Sequence, residues 1–273
     1  CSLCESKNLT FFTETKDYSF SKEKFSLFLC SVCGVLITKP FPKNTSEYYD
    51  KENYLSYKKK SSFFGKTYSL VQKVNNLLKF WFLKRYNKGS LLDFGAGSGE
   101  FVNEAKKRGF LAYGYEPINK TTNDSVFDDL KKISVREFDV ITLWHVIEHT
   151  KRPLFLLEKL KKRLNKKGII CVAVPNQDSF DASYYGKRWA GYDVPRHLYH
   201  FNEKSFLFLL KKTGFVLLEK KPLFFDSFYV SMISEKNKKN PFWMIYGFII
   251  GLISNILALY NKKYSSIIYI IGR

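Results

Sequence analysis

SLLDFGAGSGE, residues 90–100, sets the architecture. An apolar, strand-like run ends at Asp93 and passes directly into a turn with glycines at 95, 97 and 99, after which 100–108 has the pattern of a helix. Glycines there let the backbone turn sharply beneath a ligand, and a glycine-rich turn between a strand and a helix is a nucleotide cradle. A second strand over 110–115 closes on Glu116, 17 residues past Gly99. Strands and helices alternate from Ser90 onward, which predicts a parallel sheet with helices on both faces.

The chemistry of the turn selects among nucleotides. A dinucleotide fingerprint places a third glycine at position 100, but Glu100 stands there, at the positive end of the helix, where a pyrophosphate would meet a carboxylate. S-adenosylmethionine has a positive sulfonium and no phosphate, so acids around the turn favour it over NAD. Glu116 can accept hydrogen bonds from both ribose hydroxyls, or be an ordinary loop acid. Asp128 and Asp129, near the third strand, can face the adenine or form a solvated turn.

Further along, DVITLW at 139–144 ends in His145, and Glu148 and His149 follow within one turn. A helix over 153–164 starts with Pro153, suited to a first helical position, and carries Leu154, Leu157, Leu160 and Leu164 at core spacing. The four histidines fall in two short segments, at 145 and 149 and at 197 and 200. Both segments are expected at the carboxyl edge of the sheet, where open α/β sheets place their sites.

DFGAGSG at 93–99, YEP at 115–117 and FDVITLWHVIEHT at 138–150 resemble class I methyltransferases. VPNQDSFDASYYGKRWAGYDVPRHLYHF at 174–201 resembles a bacterial branch of them that carries an N-terminal zinc ribbon and includes relatives of the ubiquinone-pathway O-methyltransferases. The resemblance covers about 90–230 and the last strand. It implies an α/β fold, a Rossmann-like seven-stranded sheet with a reversed last strand, and S-adenosylmethionine over the carboxyl ends of the first two strands. The cofactor-side candidates are Asp93, Gly95, Gly97, Gly99, Glu116, Asp128 and His145.

Methyl transfer to a hydroxyl needs alignment of the acceptor and removal of its proton, a task suited to a histidine of near-neutral pKa. His149 is the preferred base, with His197 or His200 as second candidates and Arg196 and Tyr199 lining the acceptor pocket. Alternatively, Glu148 and His149 cap the neighbouring helix, or they hold a divalent metal with a further carboxylate. Trp189, Tyr184 and Tyr185 can stack on a flat acceptor or pack a loop. Asn202 should cap a helix running to Lys212, with Phe201 and Phe206 as a hydrophobic staple and Gly214 as its stop.

At the front, Cys1-x-x-Cys4 and Cys30-x-x-Cys33, the latter followed by Gly34, have the spacing of a zinc ribbon. Four thiolates complete the tetrahedral shell Zn²⁺ favours, and a closed shell leaves the metal a structural role. Two disulfides are the alternative, less suited to a reducing cytosol. Cys171 reads as core. The organisation expected is a zinc-ribbon module over 1–40, a linker and amphipathic helix over 41–86, and a methyltransferase domain over 87–273 with an apolar helical insertion at about 236–262. Tyr48, Tyr49, Tyr54 and Tyr57 punctuate the linker, and Tyr68, Val71, Val74, Leu78, Trp81 and Phe82 recur at helical spacing.

With 273 residues and 45% hydrophobic content the chain buries a full core, which excludes a disordered tail. Its formal charge of +20 is spread along the chain, suiting anionic partners such as lipid headgroups or nucleic acid, or simply a basic surface. No signal-peptide pattern is visible, so the expected compartment is the cytoplasm, at the inner face of the membrane. Residues 241–260 carry no charge, and lysines flank them at 238, 239, 262 and 263. The runs 215–225 and 265–271 read as the last two strands, neighbours in one sheet, which disfavours a spanning helix between them. The segment is expected to lie on the membrane, cover the acceptor pocket, or pack against the domain or a partner subunit. The expected activity is methyl transfer from S-adenosylmethionine to a small-molecule or lipid-linked acceptor, at a hydroxyl oxygen. The alternative is an RNA methyltransferase that holds substrate through the zinc module and basic surface, although no arginine block or aromatic recognition motif accompanies the charge.

Overall fold

A computed structural model describes residues 1–48, 75–83, 86, 89–118 and 121–273. Tyr49, Tyr54 and Tyr57 of the linker, and Tyr68, Val71 and Val74 of the apolar stripe, lie outside the described residues. The chain divides into two compact units. One comprises Cys1–Val71, Pro175–Phe208 and Pro222–Ile267, the other Gln72–Val174, Leu209–Lys221 and Ile268–Arg273. The segments 175–208 and 222–267 thus cluster with the cysteine-bearing front of the chain.

The front forms an antiparallel meander, β1 (Leu9–Lys16), β2 (Lys24–Cys30) and β3 (Leu36–Lys39). Helix α1 is described over 75–83. There follow β4 (Ser90–Phe94), α2 (Glu100–Lys107), β5 (Leu111–Tyr115), β6 (Val126–Phe127), β7 (Phe138–Trp144), α3 (Pro153–Lys161) and β8 (Leu164–Pro175). The remainder is α4 (Phe180–Tyr185), β9 (Tyr199–His200), α5 (Glu203–Thr213), β10 (Val216–Pro222), α6 (Phe224–Asn237), α7 (Trp243–Asn261) and β11 (Ser266–Gly272).

Seven strands form one sheet in the order β10-β11-β8-β7-β4-β5-β6. The pairs β4/β5, β4/β7, β5/β6 and β7/β8 are parallel. The last strand is reversed. Ser265, just before β11, accepts from the N–H of Asn176 just past the end of β8, and Ser266, the first residue of β11, accepts from the N–H of Leu223 just past the end of β10. A strand that begins where both neighbours end runs against both. The central strands are apolar on both faces, as a sheet covered by helices on each side requires: Leu91 and Leu92 in β4, Val140, Ile141 and Leu143 in β7, and 169–174 in β8 are all buried. Each such side chain contributes on the order of 1.5–3 kcal/mol by leaving water. The helix expected over 153–164 ends at Lys161, and Leu164 opens β8.

The other unit has its own core. Phe25, Leu27 and Leu36 of the meander pack with Ala182, Tyr185, Trp189, Tyr192, Val194 and Ile250. β9 extends the meander by pairing Tyr199 with Ile37 and His200 with Leu36, giving a four-stranded sheet. The strand expected over 215–225 ends at Pro222. Phe224 and Phe225 open α6 instead, so the single apolar insertion is a hairpin of two helices.

Candidate cofactor and metal sites

The glycine turn is laced to the end of β5. The N–H groups of Gly95 and Ala96 both donate to the carbonyl of Tyr115, at 2.8 and 3.1 Å. Glu116, 8% exposed, accepts from the N–H of Gly97 on one carboxylate oxygen and from that of Ile118 on the other, each at 3.0 Å. Gly95, Gly97 and Gly99 take φ of +84°, +52° and +80°, which side-chain-bearing residues rarely adopt. A Cβ built on Gly97 meets no atom within 4 Å, so space over the middle of the turn is open, as a bound nucleoside requires.

Beneath the turn lies Asp93, 2% exposed, which accepts from the Thr142 hydroxyl at 2.7 Å. Burial pushes its carboxyl up to about 6, against the opposing pull of the Thr142 bond and of the Lys79 ammonium. Lys79 also lies 4.5 Å above the ring of Trp144, the last residue of β7. After Trp144 the chain turns through His145, whose φ of +56° is left-handed for a non-glycine residue, and into the tight turn Ile147–His149. His145 Nδ1 is 3.3 Å from an oxygen of Glu148, itself 1% exposed. Asp128 is solvated and pairs with Lys132 at 2.6 Å, which holds its carboxyl below the ordinary range. The glycine turn, Glu116 and the 145–149 turn therefore follow three neighbouring parallel strands, β4, β5 and β7, on their common carboxyl edge.

Residues 67–220 match the family model described as a methyltransferase domain. The chain belongs to the methyltransferase-domain family. Among solved structures, magnesium protoporphyrin IX methyltransferase from Synechocystis PCC 6803, with bound S-adenosylhomocysteine, is similar over 80% of this chain and 91% of its own, at 14% identity and a TM-score of 0.50. A SAM-dependent methyltransferase from Archaeoglobus fulgidus is similar over 74% of this chain and 94% of its own, at 19% identity and a TM-score of 0.46. A comparison with curated proteins finds no match. The strand order and the family together make this a class I methyltransferase that uses S-adenosylmethionine.

The front of this methyltransferase brings four sulfurs together. Cys1, Cys4, Cys30 and Cys33 each offer an Sγ, and all four lie within 4.8 Å of one another, with Cys1 and Cys33 at 3.5 Å and Cys4 and Cys30 at 3.4 Å. Tetrahedral zinc with Zn–S of about 2.3 Å spaces its sulfurs by about 3.8 Å, so the set fits that ion. All four are free thiols rather than disulfides. Burial pushes the Cys33 thiol up to about 12; at Cys30 burial acts the same way, but N–H groups of Cys33 and Val32 and the Cys4 thiol overcome it and lower the pKa. Gly34 turns the chain away at φ +79°.

Several residues expected near an acceptor make structural contacts. Arg196, 1% exposed, donates to both carboxylate oxygens of Asp193 and to Asp17, joining the 193–196 turn to the β1–β2 loop. Burial opposes its charge, but the two carboxylates hold it protonated. Tyr199 is fully buried and bonded to Ser2. Trp189 and Tyr185 belong to the core, the Trp189 ring N–H donating to Asp181 at 2.8 Å, whereas Tyr184 is half exposed. Nothing local marks Asp17 or Asp181 as a partner, since those bonds close only in three dimensions, whereas Asp193 stands three residues before Arg196 in the same turn.

The two later histidines differ from each other. The single hydroxyl proton of Thr38 goes to the carbonyl of His197 at 2.7 Å, so Thr38 accepts from Nε2 of His200 at 2.9 Å. His200 is thus held within the meander, and burial lowers its pKa well below the ordinary value. His197 donates from Nδ1 to the Gly191 carbonyl at 2.9 Å, which fixes its tautomer. Asn202 caps α5 as expected, accepting from the N–H of Ser205 at 2.9 Å, and Phe201 meets Phe206 edge-on.

Proposed function

We propose that this methyltransferase acts on a hydroxyl of a small-molecule or lipid-linked acceptor, with His149 as the proton acceptor. The observation that carries this reading is the common carboxyl edge, where His149 follows the strand next to the one that ends in the glycine turn. S-adenosylmethionine supplies a methyl on a positive sulfur, which passes in line to the acceptor oxygen. Glu116 holds the ribose hydroxyls, its carboxylate set by the N–H groups of Gly97 and Ile118. Gly97 leaves room for the nucleoside, Gly95 and Gly99 let the turn close against Val146 and against Asn123 and Val126, Asp93 would face the cofactor's positive groups, and Asp128 and His145 would border it. His149 would take the hydroxyl proton as the acceptor oxygen bonds to the methyl carbon and the carbon–sulfur bond breaks. His200, spent on Thr38, keeps the meander in register. The four cysteines hold a structural zinc ion, and the site of action is the cytoplasm.

Methyl-labelled S-adenosylmethionine added to cell extract with the full chain tests the acceptor class. Label entering lipid or small-molecule fractions supports the reading, and label entering RNA alone transfers it to the RNA alternative. His149→Ala should cut turnover by about 100-fold or more while leaving cofactor binding intact, within the range of general-base loss. If His197→Ala has that effect and His149→Ala does not, the base is His197.

A further inference from the structure

The hairpin of α6 and α7 has its polarity inverted. The residues of α7 turned into the unit are Gly247, Ile250, Gly251, Ser254 and Ala258, mostly small or polar. Its large apolar side chains face outward: Ile245 is 61% exposed, Phe248 51%, Leu252 43%, Ile256 47% and Leu259 53%. In water the reverse arrangement is favoured, because each exposed aliphatic side chain forfeits its transfer free energy. Small residues between helices with large apolar ones outward is the pattern of helices whose surroundings are lipid. The small residues are needed for contact: a Cβ on Gly251 would come within 2.8–2.9 Å of backbone atoms of Phe228 and the Ser227 carbonyl in α6, and one on Gly247 would strike the backbone of Met232. In α6, too, the buried side chains are Ser227, Ser231, Ser234 and Glu235.

Charge defines the rim. The 18-residue apolar window of α7 has a mean hydropathy of 1.8, and no charged residue occurs between 241 and 260. Lys236, Lys238 and Lys239 cluster at the turn between the helices, and Lys262 and Lys263 at the far end. Glu235, fully buried, organises the turn by accepting from Lys238 at 3.0 Å and Asn240 at 2.7 Å. The two ends of the hairpin are joined by the bond from Leu223 N–H to Ser266, so the chain leaves and returns at one point. At 14 residues, or about 21 Å, α6 is too short for the ~30 Å hydrocarbon layer, and a crossing would carry the lysine-bearing turn through it.

We propose that the outward face of this hairpin docks in the plane of an anionic bilayer, with α7 sunk to the depth of the acyl boundary and the lysines on the headgroups. The docking is independent of which acceptor is methylated.

Flotation of the full chain with vesicles tests it, using phosphatidylcholine alone and phosphatidylcholine with 30% phosphatidylglycerol as probes. The wild type should float with the anionic vesicles, less with the neutral ones, and the anionic excess should shrink as salt rises. The triple variant Ile245→Asn, Leu252→Asn, Ile256→Asn, whose changes are all on the exposed face, should lose at least tenfold in partitioning while keeping the wild-type circular dichroism and cofactor affinity. Lys262→Gln with Lys263→Gln should lose only the anionic excess. Equal flotation of the wild type and the folded triple variant overturns the proposal. So does a wild type that fails to float and instead forms a dimer that the triple variant breaks, since that makes a second copy the occupant.

Discussion

Ser254 in α7 donates its hydroxyl proton to the carboxylate of Asp181 in α4, over 2.7 Å and between two residues that are both buried. Asp181 also accepts from Trp189 at 2.8 Å and Ser265 at 2.7 Å, so one carboxylate ties α4, the 189 loop, α7 and the approach to β11. Removing it strands three buried donors at about 1–3 kcal/mol each. Asp181→Ala should therefore lower the unfolding free energy by several kcal/mol in a denaturant titration, and Ser254→Ala by about 1–2 kcal/mol. An Asp181→Ala variant with wild-type stability would show that the carboxylate contributes little more than its own desolvation cost.

If Asp93 faces the bound cofactor as proposed, binding should depend on pH. Its carboxyl, pushed up to about 6 by burial, is protonated in the free protein at low pH, whereas a bound cation favours the ionised form. Calorimetry should show S-adenosylmethionine affinity flat above about pH 7 and falling as pH drops through 6, with a proton released on binding. Asp93→Asn should bind more weakly and lose that pH dependence.

The same shift has an opposite sign for the free protein's stability. A carboxyl whose folded pKa exceeds its unfolded value of 3.8 favours folding below the unfolded pKa, and that contribution is lost as pH rises through the folded value. Near pH 8 without cofactor, Asp93→Asn should thus be more stable than the wild type by on the order of 1–3 kcal/mol, the equivalent of about two pKa units. Chemical denaturation at pH 4.5 and pH 8 checks this, because the difference between the two proteins should shrink at the acid value.

The cysteine cluster predicts about one zinc ion per chain. Elemental analysis of protein purified without added metal measures this, and Cys33→Ser should reduce the content sharply. A strong chelator should lower the melting temperature of the wild type and leave that of Cys33→Ser almost unchanged, since zinc affinity adds to the folding free energy only where the shell is complete.

Much of the sheet was legible because its signals are local. Three glycines at positive φ and an acid closing the next strand each state their conformation within ten residues. The cysteine pairs were equally plain. What could not be read are bonds that depend on distant residues. Arg196 next to a histidine looks like a substrate ligand, yet its partner Asp17 is 179 positions away, and only the folded chain shows both carboxylates closing on it. The start of α6 reads as strand in the sequence, since 223–225 is aromatic and apolar. The helix is declared only by small side chains at 227, 231 and 234, which mark a face that meets another helix. The pairing of β9 with β3 rests on two residues and has no pattern of its own.

The central claim is a pocket for S-adenosylmethionine at the glycine turn, with Glu116 as its anchor. Isothermal titration of the cofactor into the wild type and into Glu116→Ala tests it most directly. The wild type should bind, and the variant, lacking the carboxylate that sets Gly97 and Ile118, should lose about 10- to 100-fold in affinity, the value of one or two charge-assisted hydrogen bonds. Equal affinity in the two proteins, or a wild type that takes up NAD and not S-adenosylmethionine, would contradict it.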